Sequence, residues 1–268
     1  IYTPAQQEFL TYNYKRSVSQ LAPTLNFVTA DGMVAAPGMA TLMPNGESRV
    51  KAILNARYEE EQGVSVTVYD LTFQGHYVLT GSPASTTTVE LFFPFPSNLE
   101  TLHEVRFLVD EVEPPDANFT TRGISWSTTL QNGEVRKIDI SYKANGANSF
   151  AYGLSRDQRS QIDIAVTIAG LNGSRVPASS LPATKQSSDG KNETFTWKYT
   201  GLIADRDVQL SLPTRLSFAQ RIAELRDEFV ALAGLAPLLV GLFVICLAGL
   251  FSLNGTRFAL EGYLLAGL

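Results

Sequence analysis

The chain has 268 residues, enough for one large or two modest domains with cores of their own. Its net charge of −5 and sequence pI near 5.2 come without any run of Lys or Arg, so nucleic acid is not an expected partner. The one cysteine, Cys246, sits in an apolar run, which excludes an intrachain disulfide and a thiolate metal site.

The first stretch, residues 1–24, gives no decisive pattern, and residues 6–20 fit a helix or a strand equally well. Residues 25–212 differ: apolar and polar residues alternate with period two, β-branched and aromatic side chains abound, and turn dipeptides recur. This pattern predicts a mainly β fold, an antiparallel sandwich-like region, either one unit or two subdomains split near residue 115, where Pro114-Pro115 interrupts the pattern.

Within that region, strands are expected at residues 50–58, 64–79, 88–93, 105–109, 124–128 and 208–212, with Ile138, Ile140 and Tyr142 continuing the theme. Tyr69, Leu71, Phe73, Tyr77 and Leu79 share one phase and should face a core. The same holds for Ile162, Ile164, Val166 and Ile168, and for Phe195, Trp197 and Tyr199. Asn45-Gly46, Asn132-Gly133, Asn145-Gly146, Asn172-Gly173 and Asp189-Gly190 mark candidate tight turns, because Gly accepts positive φ without a steric penalty. Residues 177–192, rich in Ser, Thr, Ala and Lys, read as an exposed loop.

Beyond the β region, residues 213–228 form an expected amphipathic juxtamembrane helix. Ser217 and Gln220 make a capping-box pattern, and Phe218, Ile222, Leu225 and Phe229 fall on one face. The opposite face carries Arg221, Glu224, Arg226, Asp227 and Glu228, which suits either lipid headgroups or water. Residues 229–253 contain no charged side chain and exceed the ~20 residues needed to cross the hydrocarbon, so a transmembrane helix is expected there. Pro237 predicts a kink within it. After an Asn254-Gly255 turn, residues 256–268 look like the start of a second transmembrane helix.

No catalytic, cofactor-binding or metal-binding set emerges. His76 and His103 have no second histidine or cysteine at ligand spacing, and each reads as an ordinary surface histidine. Glu59, Glu60 and Glu61, and again Asp110, Glu111 and Glu113, are adjacent acids on strand-like segments, whose side chains point to opposite faces and do not converge. No nucleophile elbow, Walker loop or dinucleotide fingerprint is present. Glycosylation triplets begin at Asn118, Asn172, Asn192 and Asn254.

The order YDLTFQGHYVL, ELFFPFP, GISWSTTL, ISYKANGANSFAYGL and TWKYTGL, followed by a membrane helix, resembles bacterial inner-membrane proteins of the CreD-like kind. The resemblance covers residues 60–268 and implies an extracytoplasmic β domain ahead of C-terminal helices in the cell membrane, with no functional residue carried over. The expected partners are therefore the lipid bilayer and a membrane protein or a second copy. The expected role is non-catalytic: assembly, scaffolding or sensing in a membrane complex. Two alternatives stand beside it. One is a carbohydrate- or peptide-binding module using Trp126, Tyr152 or Trp197 as a platform, and the other is a membrane-bound hydrolase with a dispersed site.

Overall fold

A computed structural model describes residues 3–28, 47–61, 63–81, 86–96, 101–154, 160–202 and 205–215, together with Gly241 and Phe243, which are helical. The chain divides into two compact units, Ile1–Arg215 and Leu216–Leu268. The expected juxtamembrane helix beyond Arg215, the apolar run apart from those two residues, Cys246 and the second apolar segment lie outside the described residues. Among the described residues no helix is long and apolar enough to cross a membrane.

Among the described residues the first unit is mainly β, with one helix and several sheets. Helix α1, Pro4–Lys15, resolves the ambiguity at the start of the chain: Thr3 and Gln6 form a capping box and Pro4 opens the first turn, where a missing N–H costs nothing. Strand β1 follows at Val18–Leu21, then β2 at Thr24–Val28 and β3 at Glu47–Glu61. Next come β4 (Val64–Thr80), β5 (Thr87–Pro94), β6 (Leu102–Val109), β7 (Asn118–Thr120) and β8 (Gly123–Leu130). The series ends with β9 (Val135–Ala147), β10 (Ser149–Gly153), β11 (Ser160–Ala169), β12 (Lys185–Ser188), β13 (Asn192–Leu202) and β14 (Val208–Ser211).

The largest sheet has seven strands in the order β12-β13-β11-β3-β4-β9-β6; a four-stranded sheet runs β2-β5-β8-β7 and a three-stranded one β1-β10-β14. The pairing is mixed rather than antiparallel throughout, because β11 runs parallel to β3 and β1 parallel to β10. Alternation reports which face a side chain takes and carries no information about strand direction, so the parallel pairs were invisible to it.

The predicted phases hold. Tyr69, Leu71, Phe73, Tyr77 and Leu79 are buried, as are Ile162, Ile164, Val166 and Ile168, and so are Phe195 and Trp197; Tyr199 is half-buried. These residues belong to one continuous core with members on both sides of Pro114-Pro115. The sheets meet through aromatic side chains. Phe73 of β4 lies 6.1 Å from Phe93 of β5, and Phe107 of β6 lies 6.0 Å from Trp126 of β8.

Several polar groups carried into this core find partners, although the buried Ser174 hydroxyl has none among the described residues. Gln20 of β1 accepts from the Tyr142 hydroxyl at 2.6 Å, while its amide donates to Pro94 O at 2.8 Å and Leu21 O at 2.6 Å. The Tyr69 hydroxyl donates to Ser149 O at 2.6 Å, and the hydroxyls of Tyr77 and Tyr152 are 3.0 Å apart. Burial raises the pKa of all four tyrosines above the ordinary phenol value, so they stay neutral donors.

Two expectations are corrected here. Asn145-Gly146 is not a turn: both residues lie within β9, and Gly146 is needed because a Cβ there would come within 2.4 Å of the Tyr69 ring on the neighbouring strand. The chain bends at Asn148, with φ 63°, in the left-handed region that Asn tolerates, and passes from β9 to β10 in another sheet. Residues 177–192 are not wholly a loop, since β12 adds an edge strand there. Buried Leu181 anchors the preceding segment, its carbonyl accepting from Trp197 Nε1 at 2.8 Å. The Asn132-Gly133, Asn172-Gly173 and Asp189-Gly190 glycines do take positive φ, at 68°, 100° and 87°. Asn45-Gly46 lies outside the described residues.

Candidate functional site

The outer face of the seven-stranded sheet changes character along its length. On β4 the outward residues begin with Val66 and Val68, which join Ala147 in a small cluster packed by Phe9 and Leu10 of α1. Further along the same face the outward residues become Asp70, Thr72, Gln74 and His76, all polar. Apolar residues therefore stand where the helix covers the sheet, and polar ones stand where it does not.

That uncovered face forms an open groove of about 460 Å³ across five strands. Register places two rows of side chains on its floor. One row runs Asp163 (β11), Arg49 (β3), His76 (β4), Asp139 (β9) and Leu108 (β6). The other runs Ala165, Lys51, Gln74, Ser141 and Arg106 on the same strands. Directly opposed residues on neighbouring strands have Cβ atoms about 5 Å apart, so each row is a chain of touching neighbours.

Both carboxylates of the first row already have cationic or donor partners. Asp139 Oδ1 lies 2.7 Å from His76 Nδ1, and Asp163 Oδ2 lies 3.7 Å from Lys198 Nζ. In the second row Lys51 and Arg106 are exposed, and neither makes an ion pair within 4.0 Å among the described residues. Arg106 does feel Glu104, whose carboxyl is held below its usual range first by its hydrogen bond from Lys143, with His103 and Arg106 adding smaller contributions. The groove thus offers cationic heads on both sides of an uncharged strip of Gln74 and Ser141.

His76 is the one residue singled out from the sequence that reaches this groove. His103 is exposed on β6. Asp110 takes φ 51° and accepts from Lys137 N at 2.9 Å and from Arg136 Nη1 at 2.8 Å, so it caps a turn. Glu59 pairs with Arg57 at 3.5 Å. Among the described residues no group of His, Cys, Asp and Glu is arranged to hold a metal ion. Trp126, Tyr152 and Trp197 are all buried, which removes them as an aromatic platform. Of the glycosylation triplets, Asn118 is exposed on β7, the Asn172 amide donates to Gly190 O at 2.9 Å and the Asn192 amide to Asp189 Oδ2 at 2.9 Å. Asn254 lies outside the described residues.

Arg49, Lys51, Gln74, Arg106, Asp139, Ser141 and Asp163 carried no local signal. Each is the ordinary polar partner of a buried residue on an alternating strand, and only the strand order gathers them.

No protein-family model matches the chain, and no curated protein matches it. Among solved structures, a Legionella pneumophila protein described as a "putative nutrient binding protein" is similar at 12% identity with a TM-score of 0.43, covering 73% of this chain and 70% of that one. An M1 zinc metallopeptidase from Deinococcus radiodurans is similar at 11% identity with a TM-score of 0.35; 62% of this chain and 41% of that chain are covered. At these scores neither likeness bears on activity or ligand.

Proposed function

We propose that the chain is a membrane-anchored, non-catalytic recognition module that works in assembly or sensing within a membrane complex. In this reading its sandwich-like β unit stands outside the cell membrane, and the apolar run at residues 229–253 is the anchor. The observation that carries it is the groove: a formed, open depression on a sheet, bordered by Lys51 and Arg106, which make no ion pair among the described residues. The resemblance to CreD-like proteins supports the location and the tether. Gentle detergent extraction of the full chain, followed by identification of what co-purifies, tests the role. The Lys51→Glu/Arg106→Glu variant should lose that companion while Phe119→Ser, on an exposed β7 residue of the other sheet, keeps it. Retention by both variants removes the groove from the reading.

A second reading rests on one observation. The groove brings together an acid, a histidine and a serine, with Asp139 holding His76 Nδ1 at 2.7 Å and Ser141 two residues along β9 on the same face. A hydrolase would need the Ser141 hydroxyl to reach His76 Nε2, and no hydrogen bond joins these side chains. A fluorophosphonate probe decides between the readings: labelling lost in Ser141→Ala would establish a nucleophile, whereas an unlabelled wild type supports recognition.

A further inference from the structure

We infer that the groove takes a small dianion with hydroxyl groups between its charged ends, the class of hydroxylated dicarboxylates. The inference rests on the recognition reading and names the chemistry recognised. Lys51 and Arg106 stand in one row, three strand spacings apart, on the order of 14 Å between their Cα atoms. Both side chains are long enough to lean inward, so their charged heads come to the two ends of a short ligand. Between them lie Gln74, with an amide donor and acceptor, and Ser141, with a hydroxyl that both donates and accepts.

Charge decides against other contents. Asp139 lies 2.7 Å from His76 Nδ1 and Asp163 lies 3.7 Å from Lys198, so each carboxylate has a partner of its own, and Arg49, Lys51 and Arg106 outnumber the two carboxylates on the groove lining. A dianion answers both Lys51 and Arg106, which a monoanion or a neutral ligand does not. The volume of about 460 Å³ falls in the range of small-molecule sites, roughly 300–1,000 Å³, which favours a small molecule over an acidic peptide. Because the site is open, the attraction is screened and binding should weaken as salt is raised.

The test is calorimetric titration of the full chain in detergent with tartrate, succinate, lactate and a tri-glutamate peptide. Tartrate should bind, succinate more weakly and lactate barely. Lys51→Ala and Arg106→Ala should each weaken tartrate about tenfold, as expected for losing a charge-assisted hydrogen bond. Ser141→Ala should reduce the preference for tartrate over succinate. These residues sit on an exposed face, so unchanged circular dichroism and melting are expected and exclude misfolding as the cause. Equal binding of lactate and tartrate, tighter binding of the peptide, or indifference to both cation substitutions overturns the ligand class. Absence of any anion binding together with loss of the co-purifying companion in Lys51→Glu/Arg106→Glu overturns the ligand class and leaves the recognition reading standing. Indifference of both assays to that double substitution removes both.

Discussion

Removing the Trp197 side chain offers the sharpest test of the strand phases. Its surface is 0% exposed, its ring stacks 6.3 Å from Phe195, and its Nε1 donates to Leu181 O at 2.8 Å. Trp197→Ala deletes a buried aromatic and should cost about 3–5 kcal/mol. Trp197→Phe keeps most of the apolar volume and removes one of the two donors to the Leu181 carbonyl, leaving the Ser180 hydroxyl at 3.0 Å, which should cost about 0.5–1.5 kcal/mol. The difference between the two variants isolates packing from the hydrogen bond. Trp126, the other tryptophan of the chain, remains in both variants as a fluorescence reporter. Denaturant unfolding of the full chain in detergent, followed by that signal and by far-ultraviolet circular dichroism, gives the comparison. A loss below about 1 kcal/mol for Trp197→Ala would refute the burial and, with it, the phase of β13.

Gly146→Ala should destabilise by about 1–3 kcal/mol through collision with the Tyr69 ring, and melting temperature measures it; an unchanged value would mean the ring does not lie over β9. Asp110 has its pKa lowered chiefly by the Arg136 hydrogen bond and then by Lys137 N. Its contribution to stability is present above the unfolded carboxylate pKa and is lost as pH falls through the lower folded value. Arg136→Ala should raise the Asp110 pKa in carboxyl-resolved NMR titration and flatten acid sensitivity in that window. His103→Ala, outside the groove, should leave the cellular role intact, and loss of function with unchanged folding would show that β6 acts beyond the groove. In a Cys246→Ala background, a new cysteine at Ser188, exposed on β12, should react with an impermeant thiol reagent from outside the membrane while one at Thr256 does not; the reverse labelling overturns the orientation.

Much of the first unit was legible because period-two alternation maps directly onto burial. The β4, β11 and β13 cores follow from residue type alone, since a strand with one buried face has no other register that hides Phe73, Val166 or Trp197. Two kinds of information were missing. Asn145-Gly146 has the composition of a turn, but its glycine serves the Tyr69 ring on another strand, a contact local sequence does not encode. The groove was hidden for a related reason: Lys51, Gln74, Ser141 and Arg106 each look like ordinary solvent-facing residues, and their meeting depends on the order β3-β4-β9-β6. His76 was visible, but its Asp139 partner lies 63 residues away.

The N-terminal strand has a consequence for how the protein comes into being. Gln20 and Tyr142 are 122 residues apart in the chain, and β1 pairs with β10 rather than with any neighbour in sequence. The strand made first therefore waits for partners made much later, and β3, although it pairs with β4 directly after it, keeps its other edge open until β11 is made. Loop-closure entropy must be met before those contacts form, which places this unit among slow-folding topologies. During synthesis β1 stays unpaired and β3 keeps one edge open, so a factor that shields β-edges at that stage should raise the yield of folded protein more than one that acts on the finished domain.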